Sequence, residues 1–509
     1  MKKYLNILLI ICLSHGLYSC DPDEVVSTEN TDSTDSGSTP VESASDYEWL
    51  SSNEEIITFN SASISENSDG ATVSGSMLTI TKGGYYIISG TLTNGQIVVD
   101  ASGETVKIKL NGVTVTNTSS SPFYIKKAEK AIIFIADGTT NTFTDASAYS
   151  NSDEPNATIF SNSYVAFTGA GTLTVKANYN DAISSDDEVI INNGVINVTA
   201  KDDGIRGKNY LKIDGGVVTV TASAGHAIKS DNETKAGYGL VVVNGGTLYL
   251  TSTTKDGIHA VKRVVINGGT TTIAAAKSQG LKSDSLVAIN GGTTVVSTSH
   301  EGVESPYIKV NDGILYLNAS DDGFNASFGN GGENNDNSML TLAGGYVYVN
   351  ATTGDGLDSN GNITMTGGTV LVHGPSQQPE VAIDYNGTFN MTGGFLIASG
   401  TNSNMTQGVS SSSSQYSLKI TTNSTISSGN LIHIQDASGN DVATFKPLRN
   451  YASVIFSSPV LTKGSSYSVY TGGTSTGVLK DGLYTGGTYN GGTLKKTFTI
   501  SSSVTTVSF

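Results

Sequence analysis

One short phrase, an acidic residue followed by a small residue, an aliphatic residue and a polar one, recurs down the chain. It reads "NDAISSD" at 180–186, "DDGIRGK" at 202–208, "GHAIKSD" at 225–231, "KDGIHAV" at 255–261, "SQGLKSD" at 278–284, "HEGVESP" at 300–306, "DDGFNAS" at 321–327 and "GDGLDSN" at 354–360. If these phrases stack, Asp181, Asp203, His226, Asp256, Gln279, Glu301, Asp322 and Asp355 form one mostly acidic column. Carboxylates about 5 Å apart repel by roughly 1–3 kcal/mol per pair at intermediate dielectric. Such a column needs cations or raised pKa values. Calcium suits it, because calcium takes six to eight oxygens in flexible geometry and this edge offers carboxylates, Asn side chains and turn carbonyls. Three candidate clusters follow: Asp181, Asp202 and Asp203 with Asp186 or Asp187 close by; Asp231 with Glu233; and Asp321, Asp322, Asp355 and Asp358. Asp256 and Asp284 complete the set of candidate ligands. Asp before Gly is also ordinary turn chemistry.

Cationic side chains lie in the same phrases: Lys201, Arg206, Lys208, Lys229 and Lys282. They can neutralise the column, or they can hold the carboxylates of an acidic sugar. Strings such as "KDDGIRGK" and "IKSDNETKAGYGLVV" carry a resemblance to a bacterial carbohydrate-binding family, which implies that Arg206, Lys208, Lys229 and Lys282 are candidate carbohydrate contacts. Sugars also stack on flat aromatic faces, and Tyr238 and Tyr385 are the candidate platforms, since tyrosines inside strands, such as Tyr249 and Tyr316, serve sheet packing. A lyase acting on uronic acid chains needs a calcium ion and an unprotonated Lys or Arg as base. Those ingredients are present, yet no pair of residues stands out as catalytic, and binding without catalysis is the expectation. No nucleophile motif, phosphate loop or Cys/His zinc pattern occurs among the six scattered His.

The elements that must position these residues are strands. Each acidic phrase alternates with an apolar strand ending in a glycine turn: "INNG" (191–194), "IDGG" (213–216), "VNGG" (243–246), "INGG" (266–269 and 289–292), "VNDG" (310–313), "LAGG" (342–345) and "MTGG" (365–368 and 391–394). Alternating stretches such as "VVTVTA" (217–222) and "TLYLTS" (247–252) follow, with the two-residue strand period. A repeat near 22 residues with insertions is one turn of a solenoid. Leucine-rich repeats need a Leu-dominated ladder, and calcium-binding nonapeptide repeats need a nine-residue glycine pattern; neither is present. The fold expected is all-β: a right-handed parallel β-helix over residues 55–404, with Ile183, Ile205, Ile228, Ile258, Leu281, Val303, Phe324 and Leu357 pointing inward. Residues 405–509 lose the repeat and are expected to form a small C-terminal β-sandwich-like module capping the last coil.

Residues 1–20, "MKKYLNILLIICLSHGLYSC", have a basic start and an apolar stretch too short to span a membrane, as an export signal does. The ending "LYSC" resembles a lipobox, which makes Cys20 the candidate lipidated residue. Residues 21–54 open with an acidic, Ser/Thr-rich stretch that cannot bury enough surface to fold, and are read as a flexible tether. The net charge of −17 argues against nucleic acid. A lipid-anchored monomer on the outer membrane or cell surface is expected, touching the membrane through that lipid only.

The strings "YIISGTLTNGQIVVD", "LNGVTVTN", "DEPNATIFS", "GTLTVKANYNDAISSDDEVIINNG", "KDDGIRGK", "IKSDNETKAGYGLVV" and "TGGTSTGVLKDGLYTGGTYNGG" resemble a bacterial carbohydrate-binding family. The resemblance covers about residues 55–509. It implies a calcium-containing right-handed parallel β-helix, similar to pectate lyases, that binds cellulose-like or acidic, pectin-like polysaccharide. It also raises calcium-assisted β-elimination as the alternative activity.

Overall fold

Strand-forming Val, Ile and Thr alternate with polar residues through most of the chain, and the inward set is fully buried along its whole length. The computed structural model describes residues 42–50, 53–150, 155–329 and 334–509 of the 509. The export signal, Cys20 and residues 21–41 of the expected tether lie outside the described residues.

Each coil contributes three short strands. One example is Glu188–Ile191, then a glycine turn, then Val195–Ala200, then the acidic corner, then Ile205–Gly207. Equivalent strands of successive coils pair in parallel, one-to-one over most of their length. Tyr210–Ile213 lies on Leu240–Val243, Val217–Ala222 on Thr247–Ser252, and Ile205–Gly207 on Ile228–Ser230. The first two faces join through the long strand Thr105–Thr116 into a 29-stranded sheet, and the third is a separate 14-stranded sheet. This is a parallel β-helix. Ile183, Ile205, Ile228, Ile258, Leu281, Val303, Phe324 and Leu357 stack in register and are fully buried.

The glycine turn carries its own ladder. Asn244 donates its side-chain amide to Asp214 at 2.7 Å, Asn267 to Asn244 at 2.8 Å, Asn290 to Asn267 at 2.8 Å and Asn311 to Asn290 at 2.7 Å. The second glycine has positive φ, +84° at Gly246 and +77° at Gly269, and a Cβ on Gly269 would stand 2.6 Å from the Gly246 carbonyl. Only glycine fits that turn at that stacking distance.

Both ends of the sheet are covered. At the first coil, Glu54–Ser61 pairs in parallel with Gly84–Leu92 and folds back antiparallel on Ser63–Glu66. At the last, Phe395–Gly400 meets the antiparallel strand Tyr451–Ser457, which pairs with Ser417–Ile426, and that strand with Val504–Ser508. A six-stranded antiparallel sheet containing Ile432–Asp436, Asp441–Phe445 and Ser466–Thr471 completes the C-terminal module around Leu418, Ile434, Phe445, Phe456 and Val469. Arg449 ties the module to the coils by donating to Asn350 Oδ1 (2.7 Å), the Ala351 carbonyl (2.6 Å) and the Gly374 carbonyl (3.0 Å).

Ordered structure begins before residue 54. Residues 44–47 form a 3-10 turn capped by Ser43, and Asp46 meets Lys130 at 2.8 Å in a buried pair. Trp49 sits edge-on to Tyr85 and Phe134, with the Lys109 ammonium 3.8 Å from its ring centroid. The reason is apolar: Ile132, Phe134, Tyr164, Ala166 and Ile190 form a cluster of their own, and Tyr47 and Trp49 cover it. The stretch 42–50, expected to be tether, is thus a strap on the sheet.

Candidate functional site

At the corner before the third strand, the polypeptide must turn while its backbone donors stay satisfied. The acidic column does this by reaching across coils. The side chain of Asp181 accepts the Asp203 backbone N–H (3.1 Å), Asp203 accepts that of His226 (2.7 Å), and the His226 ring Nδ1 accepts that of Asp256 (3.2 Å). Asp256 accepts the Gln279 N–H (3.2 Å), Asp322 that of Asp355 (2.6 Å) and Asp355 that of Val381 (2.5 Å). The longer Gln279 and Glu301 instead face each other at 3.5 Å. The column is therefore in register, and its first use is to hold one coil to the next.

Beside it runs a second column, one residue after the buried aliphatic: Ser184, Arg206, Lys229, His259, Lys282, Glu304, Asn325, Asp358 and Asp384. Its charge changes sign along the rod, cationic up to Lys282 and acidic at Glu304, Asp358 and Asp384.

In the first half, cations already compensate the carboxylates. Arg206 faces Asp231 through Nε and Nη2 at 3.1 and 3.0 Å and Asp186 at 3.5 Å. Lys229 lies 3.3 Å from Asp203 and 3.2 Å from Asp231. Burial opposes the charge of Asp231, but Arg206 and Lys229 win and hold its pKa below the ordinary carboxylate range. The pKa values of Arg206 and Lys229 rise despite burial, through the same carboxylates. Asp181 is buried, and burial together with Asp203 pushes it up to about 7. Burial, then Asp203, raises Asp202, and burial raises Asp187 against a 2.7 Å bond from Asn209. Glu233 and Asp284 are exposed. Lys208 flanks this network, with no carboxylate at salt-bridge distance among the described residues. Lys282 pairs with Glu304 at 2.9 Å.

The second half is different. Asp355, Asp358 and Asp384 bring carboxylate oxygens within 4.8 Å of one another, with Asp355 and Asp384 both buried. Burial, and then Asp358, pushes Asp322 up to about 9. Burial raises Asp355 to about 8 although the Val381 N–H opposes it, with Asp384 adding to the rise. Two further groups could hold a metal ion: His226, Asp256 and His259, and His300, Glu301 and Asp321. His300 Nε2 lies 3.5 Å from Asp321.

The aromatic candidates do not meet on this face. Tyr385 donates its hydroxyl to the Gly408 carbonyl (2.7 Å) and packs against the core and Phe389, so it fastens the last coil. Tyr238 is half-buried with the Lys235 ammonium 5.3 Å from its ring centroid. Sequence reasoning missed Asp384, Glu301, His226, His259 and His300 as possible ligands. Asp384 could have been found, because "AIDY" (382–385) repeats "GLDS" (356–359) one coil further on.

Residues 74–323 match the family model described as carbohydrate-binding domain-containing protein. A curated relative from Acetivibrio thermocellus with that same description is 42% identical over 153 residues, 29% of this chain and 54% of the relative, so the chain spans about half of the relative's length. A solved structure described as a polysaccharide lyase-like protein from C. thermocellum, a gadolinium derivative, is similar at 35% identity. It covers 47% of this chain and 97% of its own, with a TM-score of 0.45. Residues 74–323 are thus similar to carbohydrate-binding domain-containing proteins.

Proposed function

We propose that the chain binds acidic polysaccharide along its two polar columns, displayed on the bacterial surface through a lipid on Cys20, with calcium held by the acidic half. The observation that carries this reading is the sign change along one in-register column, from Arg206, Lys229 and Lys282 to Glu304, Asp358 and Asp384. A uronate chain lying along the rod meets ammonium and guanidinium groups in one half. In the other, calcium on Asp355, Asp358 and Asp384, with Asp322 in support, bridges protein carboxylate to sugar carboxylate. The polar columns contain no aromatic platform, so a pectin-like chain suits this face better than a cellulose-like one.

Calcium-assisted β-elimination is the second reading, because carboxylate clusters and cationic side chains share one face. A lyase base must be unprotonated, and Arg206, Lys229 and Lys282 are each held in the charged form by neighbouring carboxylates. That weighs toward binding. Retention of the full chain on insoluble pectate, with and without chelator, tests the proposal. Calcium-dependent retention with no rise in unsaturated uronide absorbance supports binding, product absorbance supports the lyase, and neither retention nor product overturns both.

A further inference from the structure

The middle of the acidic column carries nitrogen donors that calcium does not favour. Asp256 is buried. Its Oδ1 accepts bonds from Ser278 Oγ at 2.5 Å and the Gln279 backbone N–H at 3.2 Å. Its Oδ2 faces His226 Nδ1 at 3.3 Å and His259 Nδ1 at 2.9 Å. The two imidazoles come from successive coils and stack with centroids 4.6 Å apart and planes 30° from parallel. His226 Nδ1 already accepts the Asp256 backbone N–H at 3.2 Å. A nitrogen that accepts there carries a lone pair, and it faces a carboxylate oxygen that carries another. That lone pair is taken by the backbone N–H, and Oδ2 is hydrogen-bonded to His259 Nδ1 at 2.9 Å; a cation drawing on His226, Asp256 and His259, whose donor atoms lie within 4.8 Å of one another, would replace these bonds.

From this geometry we infer that His226, Asp256 and His259 form a site for a borderline divalent cation of the zinc class, separate from the all-oxygen cluster at Asp355, Asp358 and Asp384. Imidazole suits zinc, copper, iron and nickel, whereas calcium and magnesium take oxygen. Zinc bonds of about 2.0–2.1 Å in a tetrahedral array set neighbouring donors about 3.3 Å apart. The His226–Asp256 separation matches that spacing, and the His259–Asp256 separation is slightly shorter. Ser278 and Gln279 fix the carboxylate by engaging its other oxygen, the outer-shell arrangement that orients a ligand. The neighbouring cations do not compete for the place, since Lys229 pairs with Asp203 and Asp231, and Lys282 with Glu304. Both imidazoles keep some solvent exposure, 14% and 15% of the side chain, which leaves room for water or an outside ligand to complete the coordination.

Cobalt(II), a coloured stand-in for zinc, is titrated into the metal-stripped full chain in excess calcium. The expected result is saturable binding of one cobalt with a visible ligand-field band. Zinc should displace the cobalt, and His259→Ala or His226→Ala should weaken binding at least about tenfold. His300→Ala, in the other histidine-containing group, should leave the band unchanged. Unfolding midpoints taken without metal establish that each variant folds, and His259→Gln serves if His259→Ala does not. Absence of a band, its loss to calcium competition, or equal binding by the folded His226 and His259 variants would overturn the site.

Discussion

Replacing Asp355 with Asn separates the two uses of the acidic column. The Asp355 carboxylate accepts the Val381 N–H at 2.5 Å, a bond the Asn oxygen can still make, and it faces Asp358 and Asp384. Burial raises its pKa from the ordinary carboxylate value of 3.8 to about 8. At about 1.4 kcal/mol for each pH unit, a rise of that size amounts to a folding penalty on the order of 5 kcal/mol once the group must ionise. The folded state holds the proton more tightly than the unfolded chain does, so stability is greatest below the unfolded pKa. It falls as pH rises through about 8. Calcium held there, as proposed, would reverse this by taking the proton's place. Urea unfolding of metal-stripped protein between pH 5 and pH 9 should therefore show stability declining with pH, and saturating calcium should flatten the decline. Asp355→Asn should be more stable than the parent at pH 8 without metal, and should gain little from calcium. The reasoning fails if the stripped parent is flat across that range, or if the Asn variant retains the full calcium response.

Arg206→Leu leaves Asp186 and Asp231 without their guanidinium partner. Because Lys229 still faces Asp231 at 3.2 Å, the expected loss is at the lower end of the range for broken buried pairs, about 3 kcal/mol, read by denaturant unfolding. Gly269→Ala combines a φ of +77° with a Cβ 2.6 Å from a carbonyl oxygen, and should cost at least about 1–3 kcal/mol in the same assay. Asn267→Leu strips a donor from Asn244 and an acceptor from Asn290, a loss of about 1–3 kcal/mol, while leaving glycan retention intact. Lys282→Ala, which removes a salt bridge to the partly exposed Glu304, should do the reverse: reduced, more salt-sensitive retention on pectate with little change in unfolding.

The coil and its inward set were legible because a solenoid writes the same solution many times. An aliphatic residue two positions after each acidic one means little once, and fixes a buried column when it recurs from Ile183 to Leu357. The acidic column was legible for the same reason. Its bonding was not, since nothing in "DDG" says that the first use of a carboxylate is to accept a backbone N–H from the next coil. Nor does composition reveal that Arg206 and Lys229 turn inward on Asp231 and Asp203, two of the carboxylates proposed as calcium ligands. The strap at 42–50 escaped because its partners, Phe134, Tyr164 and Ile190, lie in strands that read as two-sided apolar runs. Such a run does not announce which segment will cover its outer side.

A parallel coil makes each side-chain choice answerable to two neighbours. Asn in the glycine turn is favoured because one Asn can donate to the coil before and accept from the coil after, which neither Asp nor Leu can do; Asp214 begins that ladder because at its end only acceptance is needed. The acidic corner follows the same logic with a different donor. A carboxylate there accepts a backbone N–H, and its second oxygen is left over. Where Arg206 or Lys229 reaches that oxygen, the column is closed. At Asp256 the His259 imidazole takes that oxygen at 2.9 Å, and at Asp355 the carboxylates of Asp358 and Asp384 crowd it. Stacking thus sets a polar group at this corner of each coil, and the residue placed after the buried aliphatic decides how that group is paired.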